Sequence, residues 1–593
     1  RDSGSGSEAG ARAATAIGPP VRKAAGFAPM AASQEPHPMS ARPPWQHWLA
    51  ADWSEFPPSD PSQVWIWGYT DRLSYLPGDQ VHLHVNTSEA SYCLKVVRDG
   101  GDGPETVYER AGLAGKRHDT PRDASAVGCG WPVAHTIDVP ASWRTGGYAV
   151  LLTLNGPDGR PSKQAEAFFV LRSAAPVGER PDIAFVVATS TWIAYNNWGG
   201  GSSYSALDVD FTDSEKSRDS GLFPELSTQR PWPRGFVRIP NSAPRLALKT
   251  KPPPNWVPTY PMMEWAMANG YSLFSRSAGW ATYDGLMAAW LERSGYSVAY
   301  LTQHDLHMDP TSLDGHKVVL TCGHDEYWSR PARLTLDHFI ERGGRLARFG
   351  GNIIWQVRIS EDGRTQTCYK YSADRKDPLA KDPQQNTNAF EAASVRWPPA
   401  LTFGVNGVQG VYSRFGGFSP RGLGGFTVYR NEHWAFEGAD LYYGDTLGEE
   451  VPLVGFEGDG LAYTFRHGLP YPTGEDGAPA DKITILALTP ICREEEDHGH
   501  LPPGMTLFNG AGDWEILTEV AHGKKDAETL AKTRYGSCVI SHMVKGSGEV
   551  FCAGTTEWPF ALEQGEWYVN KITHNVLRRF IGQSKGTKRK SEQ

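Results

Sequence analysis

The residues with the greatest capacity for chemistry form one run, His324-Asp325-Glu326-Tyr327-Trp328-Ser329, directly after the predicted strand Lys317 to Thr321. An imidazole beside two carboxylates can act as a general base or as a proton donor to a leaving group. Ser329 is a suitable N-cap for a helix predicted from Ala332 to Arg342, whose dipole favours anions at this end. We therefore predict that His324, Asp325 and Glu326 are catalytic.

Three other segments follow predicted strands of the same sheet. Gly350-Gly351-Asn352 lets the backbone approach a ligand closely, and the Asn352 amide can donate to an oxyanion, so Asn352 joins the catalytic prediction. His304-Asp305-Leu306-His307 could ligate a metal, with an ordinary surface loop as the alternative. The segment from Thr191 to Gly201 suits a polar substrate group. The predicted substrate-binding residues are Tyr195, Asn196, Asn197 and Trp198, together with Trp328.

Cys322 offers a rival chemistry. A cysteine between a strand and a helix is the arrangement of class I glutamine amidotransferases, in which the thiolate is the nucleophile. That turn needs small residues on both sides of the cysteine, and here Thr321 precedes it and Gly323-His324 follow it. A buried, inert thiol is the alternative.

The elements before residue 175 are short and strand-like. Val81-His82-Leu83-His84-Val85 alternates apolar and polar residues, and Tyr148 to Leu154 and Ala167 to Leu171 are apolar runs next to turn residues. About a hundred residues of such strands indicate a β-sandwich. We predict an immunoglobulin-like sandwich over residues 61–175.

After residue 175 strands alternate with helices. Ile183 to Thr189 is a continuous apolar run, which is typical of a strand buried on both faces of a parallel sheet. A helix near Tyr283 to Ser294, a strand near Ser297 to Thr302 and the strand before His324 continue the alternation. The fold class predicted is therefore multidomain α+β: the sandwich, then a doubly wound α/β domain of the class I glutamine amidotransferase type over 176–582. Residues 358–550 are rich in Gly, Pro and polar residues and are predicted as a large loop-rich insertion that covers the sheet.

Composition excludes several classes of protein. The 593-residue chain has a formal net charge of −9 and only 21% charged residues, which argues against a nucleic-acid binder. No run of 18 apolar residues predicts a membrane span. The seven cysteines form no CxxC pair, which indicates reduced thiols in a cytoplasmic protein, with a single Cys93–Cys129 bridge as the alternative. Residues 1–60 are predicted as a disordered or extended segment, and 583–593 as a solvated basic tail.

Several stretches together resemble the family of the N,N-dimethylformamidase large (beta) subunit. The matching stretches, in one order along residues 62 to 582, are Gly68 to Ser74 with Pro77-Gly78, Trp290-Leu291-Glu292 with Gly295-Tyr296, His324 to Ser329, Gly343 to Leu346 with Gly350 to Asn352, and Gly554 to Trp558. The resemblance implies hydrolysis of a small amide at a mononuclear iron (Fe³⁺) bound by two tyrosines and a glutamate. Carried over to this chain, it implies Tyr327, Tyr283 and Glu437 as ligands.

The leading hypothesis is therefore a metal-dependent hydrolase of a C–N bond in a small amide. Hard Fe³⁺ prefers phenolate and carboxylate oxygen and can acidify water while it polarises a carbonyl. Two alternatives stay open: a hydrolase that uses Cys322 as nucleophile, and a non-enzymatic ligand- or carbohydrate-binding protein that uses some of the 21 tryptophans. A homo-oligomer is compatible with either, and one chain carries no information on the small partner subunit of the family.

Overall fold

Two β-sheets share one apolar core in the N-terminal part of the protein. The computed structural model describes residues 55–204, 223–245, 261–412, 424–492 and 513–582. The first eight strands are β1 (Ile66–Thr70), β2 (Ser74–Tyr75), β3 (Gln80–Thr87), β4 (Ser91–Asp99), β5 (Glu105–Ala114), β6 (Val133–Asp138), β7 (Gly146–Asn155) and β8 (Pro161–Leu171). They form a three-stranded sheet in the order β1-β3-β6 and a five-stranded sheet in the order β2-β8-β7-β4-β5.

The alternation in β3 works as predicted. Val81, Leu83 and Val85 are buried in the core with Leu94 of β4 and Leu152 of β7, while His82 and His84 are half-buried. Because side chains alternate across a strand, this spacing orients one face inward. The region is β-rich, as the sequence predicts, and its boundary near residue 175 falls between β8 and β9. The assignment to the immunoglobulin type stays a prediction.

A nine-stranded mixed sheet dominates the rest of the protein, in the order β11-β9-β12-β14-β25-β24-β23-β18-β19. Its first five strands are parallel and the others antiparallel. The strands after β8 are β9 (Ile183–Val187), β10 (Glu225–Ser227), β11 (Val298–Thr302), β12 (Val318–His324), β13 (Tyr327–Ser329), β14 (Arg345–Gly351), β15 (Trp355–Ile359), β16 (Thr365–Thr367), β17 (Asn406–Tyr412), β18 (Phe426–Val428), β19 (Thr446–Leu447), β20 (Glu457–Gly460), β21 (Tyr463–Arg466), β22 (Leu469–Pro472), β23 (Ile483–Cys492), β24 (Tyr535–Lys545) and β25 (Gly548–Cys552).

The parallel half agrees with the α/β prediction, whereas the region 358–550 is more than a cover. It contributes β18, β19, β23 and β24 to the main sheet. The apolar residues of β23, from Ile483 onward, pair with β24 along most of their length. The sequence around these strands is rich in Gly and Pro. The composition of the region therefore does not indicate the strands.

The helices connect the strands and cover the sheets. They are α1 (Ala124–Val127), α2 (Thr189–Tyr195), α3 (Pro261–Asn269), α4 (Gly285–Arg293), α5 (Gln303–Met308), α6 (Arg330–Glu341), α7 (Ala373–Lys376), α8 (Ala400–Phe403), α9 (Asp513–His522), α10 (Ala527–Thr533), α11 (Trp558–Glu563) and α12 (Trp567–Ile581). Trp280–Asp284 forms a π-helical turn before α4, and Ser329 caps α6 as predicted by accepting from the backbone of Ala332.

Two segments predicted as loops are helical. Thr191 to Tyr195 belongs to α2, and His304 to His307 belongs to α5. A capping box explains the second case, because Thr302 accepts from the Asp305 backbone and the Asp305 carboxylate accepts from the Thr302 backbone. Asp305 is therefore occupied as a helix cap, which disfavours the metal-binding hypothesis for this segment.

The parallel strands bring their carboxyl ends to one edge of the main sheet. His324 ends β12, Asn352 follows β14, and Thr555 to Glu557 follow β25. Open α/β sheets place their ligands beyond this edge. The edge is where the predicted catalytic residues meet.

The predicted basic tail 583–593 and most of the predicted N-terminal segment 1–60 lie outside the described residues. The six cysteines with described side chains are all free thiols, in agreement with the prediction of reduced cysteines. Among the helices described, none is both long and apolar enough to cross a membrane.

Candidate active site

His324 is the centre of a buried polar cluster at the end of β12. The preceding Gly323 has φ +63°, and a side chain there would collide with Tyr283, so glycine is required for the turn of the chain. His324 Nδ1 lies 2.7 Å from the carbonyl oxygen of Ser277. Because a carbonyl oxygen only accepts, Nδ1 carries a proton, and Nε2 is the atom directed to the rest of the cluster.

Two carboxylates meet at His324 Nε2. Glu457 Oε2 lies 2.7 Å from it and Glu326 Oε2 lies 3.2 Å from it. The amide nitrogen of Asn352 donates to Glu457 Oε2 over 2.8 Å and lies 3.0 Å from Nε2. Asn352 has φ +65°, a left-handed conformation that costs energy for a residue with a side chain and is frequent at functional sites.

The pKa values of the three groups move in different directions. Burial disfavours the charged imidazole, but Glu457 and Glu326 outweigh it and raise the pKa of His324 to about 10. Burial raises the pKa of Glu457. The charge of His324 lowers it and the charge of Glu326 raises it, so the net pKa lies above the usual value. Burial acts in the same direction on Glu326, yet His324 and Lys370 hold the pKa of that carboxyl below its usual range. The imidazolium of His324 can neutralise only one of the two carboxylates. Glu457, whose pKa is raised, is therefore the one that readily takes up a proton.

A chain of hydroxyl groups fixes Glu326. Tyr204 donates to its carboxylate at 2.8 and 2.9 Å, and Trp355 Nε1 donates at 2.8 Å. Tyr327 then donates to the Tyr204 hydroxyl over 2.7 Å. Tyr327 is fully buried, and burial together with the charge of Glu326 raises the pKa of its hydroxyl well above 10. The structure therefore brings Tyr327 to the cluster through Tyr204.

Lys370 is a buried cation beside this chain. Its ammonium lies 3.4 Å from the ring centroid of Tyr204 and 5.2 Å from that of Trp355. Burial lowers the pKa of Lys370 to about 8, although Glu326 opposes this effect. An ammonium over aromatic rings keeps the adjacent carboxylate ionised.

Asp325 is bonded to side chains of three neighbouring elements. Its carboxylate accepts from Gln303 Nε2 at 3.0 Å, from Trp328 Nε1 at 2.7 Å and from Arg348 Nε at 3.3 Å. These contacts join the end of β12 to α5, β13 and β14. These bonds give Asp325 a structural role, and a catalytic role for it stays a prediction.

Tyr283 lies in the π-helical turn, a feature that is frequent at functional sites. Its hydroxyl is 3.4 Å from Glu557 Oε1 and 3.4 Å from the Arg276 carbonyl oxygen. Glu557 in turn accepts from Arg245 at 2.9 Å. Tyr283 therefore borders the cluster from the side of Glu557, whereas Tyr327 borders it from the side of Glu326.

Glu437 is not brought to these tyrosines. Its side chain is exposed, and its backbone carbonyl accepts from Asn575 of α12 over 2.8 Å. The glutamate that the structure places beside His324 is Glu457 of β20. A short helical turn, Trp434–Phe436, directs the Glu437 segment to α12, which accounts for the difference.

Of the predicted substrate-binding residues, Tyr195 alone joins the cluster, with its ring 4.3 Å from that of Tyr204 and 5.1 Å from that of His324. Asn196 donates to Pro231, and Asn197 accepts from Ser272. Trp198 packs between Trp67 and Trp131 in the sandwich, and Trp328 packs on Phe403. These four side chains hold the fold together. Full burial of Trp198 and Trp328, and likewise of Trp192, Trp280 and Trp558, also favours packing over a carbohydrate platform.

The cluster contains three residues that were not predicted: Glu457, Tyr204 and Lys370. Glu457 lies in Phe456-Glu457-Gly458-Asp459-Gly460, where glycines flank two acids in an otherwise weakly patterned region. That run is the one signal in the sequence that could have indicated it. Tyr204 and Lys370 stand in segments whose composition differs little from other loops.

Cys322 is buried, and burial, with the charges of Asp284 and Asp325, raises the pKa of its thiol well above 9. A nucleophilic cysteine needs the thiolate at neutral pH. We expect Cys322→Ala to retain the turnover of the wild type within about twofold, because a residue outside the reaction has little effect on kcat/KM. The measurement is steady-state kinetics with circular dichroism as a folding control, and loss of turnover in a folded variant would restore the cysteine hypothesis.

The donor set limits which metal the cluster could hold. Among the described residues, no group of three or more His, Cys, Asp or Glu side chains is arranged as a metal site. The predicted trio Tyr327, Tyr283 and Glu437 is not assembled either. The oxygen atoms that do converge are the hydroxyls of Tyr327 and Tyr204 and the carboxylate of Glu326, which are hard donors of the kind that Fe³⁺ prefers.

Comparison with known proteins supports the family resemblance. No curated protein matches the chain. The family model described as N,N-dimethylformamidase beta subunit-like, C-terminal, matches residues 94–573, a range that includes every residue of the cluster around His324. Membership implies amidohydrolase activity in general. The chain belongs to the N,N-dimethylformamidase beta subunit-like family.

Proposed function

We propose that the protein is a hydrolase that cleaves the C–N bond of a small amide. The observation that carries the proposal is the contact between His324 Nε2 and Glu457 Oε2 at 2.7 Å, where the two carboxylates raise the pKa of the imidazole and burial raises the pKa of the Glu457 carboxyl. A protonated imidazole beside a carboxyl that can take up a proton is suited to act as an acid–base pair. Family membership supplies the reaction class, and this pair supplies the groups that would perform it.

In the proposed reaction Glu457 is the general base. It takes a proton from water, and the water oxygen attacks the amide carbonyl carbon. The imidazolium of His324 then donates its Nε2 proton to the leaving nitrogen as the C–N bond breaks. Glu326 stays ionised and stabilises the imidazolium, while Asn352 holds the Glu457 carboxylate at its 2.8 Å contact.

We further propose that iron is the cofactor. The residues that would bind it are Tyr327, Tyr204 and Glu326, so that Tyr204 and Glu326 take the places predicted for Tyr283 and Glu437. When bound, Fe³⁺ would polarise the amide carbonyl and acidify water. Its positive charge would also favour loss of the proton of Lys370, whose pKa is already lowered. Free thiols support a cytoplasmic location as part of the same proposal.

Protein purified from iron-replete cells should release amine from formamide, N-methylformamide or N,N-dimethylformamide and should contain iron. Tyrosinate bound to Fe³⁺ should give a visible absorption band, which Tyr327→Phe should weaken or shift. Tyr296→Phe, which removes a half-buried hydroxyl bonded to His574, serves as the matched control and should keep the band. Amide hydrolysis by an iron-free, colourless protein would contradict the cofactor, and a lack of turnover on the whole amide panel would contradict the function.

A further inference from the structure

A pair of buried arginines lies beside the cluster and takes no part in the proposed reaction. Arg276 directly precedes Ser277, the residue whose carbonyl accepts from His324 Nδ1. Consecutive Cα atoms are about 3.8 Å apart, so the Arg276 backbone is fixed next to the imidazole. Its side chain is only 8% exposed. A guanidinium in such a place is costly to bury without acceptors.

The guanidinium of Arg276 is incompletely paired. Nη2 donates to the Ala243 carbonyl over 2.9 Å. Among the described residues, Nε has no hydrogen-bond partner. A buried donor without an acceptor is costly in a native protein, and a bound water, ion or ligand is one explanation for such a group.

Arg245 repeats the pattern. Its Nη2 pairs with Glu557 Oε2 at 2.9 Å, and its guanidinium lies 4.0 Å from the ring centroid of Phe560 and 5.6 Å from that of Tyr283. Its Nε also lacks a hydrogen-bond partner among the described residues. The Arg245 side chain is 12% exposed, so it borders both the solvent and Tyr283.

The two arginines exceed the negative charge that faces them. Burial, followed by the charge of Arg245, lowers the pKa of Arg276 to about 10, while Glu563 and Glu557 oppose this effect. Glu557 is already bonded to Arg245, and Glu563 is exposed, where water screens its charge. The pair is therefore suited to an anion supplied from outside the chain.

We propose that Arg245 and Arg276 bind a carboxylate of the substrate, so that the protein acts on a small amide that also carries an acid group. This inference rests on the proposed function. The planar guanidinium has parallel N–H groups that match the two oxygens of a carboxylate. Arg276 is adjacent to Ser277 and Arg245 contacts Tyr283, which places the anion on the Glu557 side of the cluster and the amide at His324.

The test compares succinamate with succinamide, which have nearly the same shape and differ by one negative charge. Charge-assisted hydrogen bonds of this kind correspond to about 10–100-fold, so wild-type kcat/KM should favour succinamate by that factor. Arg245→Met should remove the preference. Arg579→Met is the matched control, because it deletes one positive charge at a partly exposed ion pair with Glu549 and should keep the preference.

Succinate binding measured by calorimetry gives a readout that needs no turnover. Wild-type protein should bind succinate, and Arg245→Met and Arg276→Gln should bind it at least about tenfold more weakly. If Arg276→Gln does not fold, Arg245→Met decides alone. Equal kcat/KM for the two amides, an unchanged preference in Arg245→Met, or tighter binding of inorganic phosphate than of succinate would overturn the carboxylate subsite. Succinate binding that Arg245→Met abolishes, in a protein that hydrolyses no amide, would refute the proposed function and leave the subsite standing.

Discussion

Replacing Glu457 by glutamine should lower kcat and kcat/KM for amide hydrolysis together, by about 10²–10⁴-fold, the usual contribution of a general base. Glutamine keeps the size of the side chain and removes its capacity to take a proton from water. His324 would lose its closest carboxylate, 2.7 Å from Nε2, but would keep Glu326 at 3.2 Å. The measurement is steady-state kinetics on the best amide substrate. Glu449→Gln, at an exposed position of the same region, is the control.

The pH profile separates the two carboxylates. A base works only when ionised, and the pKa of Glu457 is raised above 4.5, so activity should fall with decreasing pH from a point above that value. Glu326→Gln removes a proposed iron ligand and should lower turnover, but it also removes the charge that opposes ionisation of Glu457, so the acidic limb of the remaining activity should move to lower pH. Wild-type activity in Glu457→Gln, or an acidic limb that Glu326→Gln shifts upward, would contradict the assignment of the base.

The elements that position His324 could be predicted because their signals are local. The apolar run at Ile183 and the short strand before Cys322 indicate buried parallel strands, and both belong to the main sheet. Ser329 caps α6 as its position before the helix suggests. Because His324 and Asn352 lie at the carboxyl ends of parallel strands, these strands predict that the two residues meet at one edge of the sheet. Family membership, inferred from short motifs in a fixed order, is confirmed over residues 94–573.

The partners of His324 could not be predicted because they come from distant parts of the chain. Glu457 follows His324 by more than a hundred residues and reaches it through β20, a strand in a region without clear periodicity. Tyr204 bonds Glu326, and Lys370 packs on the Tyr204 ring, from two further segments of the chain. Spacing along the chain says nothing about such contacts. The resemblance implies Glu437 as a ligand from its local sequence, which carries no information on where that segment packs.

Local polarity is also ambiguous for Asn196, Asn197, Trp198 and Asp325. Each of these residues has a polar atom and lies in a loop or at a strand end. A buried residue with a purely structural role has the same features. Asn196 and Asn197 bond to Pro231 and Ser272, and Asp325 receives three donors. Buried polar groups must be bonded to something, so their presence predicts a network and leaves its purpose open.

Arg348 offers the largest expected effect on stability. Its guanidinium is fully buried on β14 and bonds Asp459 of β20 at 2.5 Å and Asp325 at 3.3 Å. Removal of one partner from a buried ion pair is strongly destabilising, because the remaining charge has no compensation. We expect Arg348→Met to lower the free energy of unfolding by about 3–5 kcal/mol. Denaturant unfolding followed by circular dichroism measures it.

The double variant Arg348→Met with Asp459→Asn tests the cause. If the loss comes from the uncompensated carboxylate of Asp459, neutralising that group should recover part of the stability, whereas loss of packing alone would not be recovered. Arg342→Met, at an exposed arginine of the same part of the chain, should change stability by no more than about 0.5 kcal/mol. A loss below about 1 kcal/mol in Arg348→Met would contradict the prediction, since it lies outside the range for a broken buried pair. Arg348 bonds Asp459, on the strand of Glu457, and also Asp325, the residue next to His324. Partial recovery of stability in the double variant should therefore be accompanied by partial recovery of amide hydrolysis.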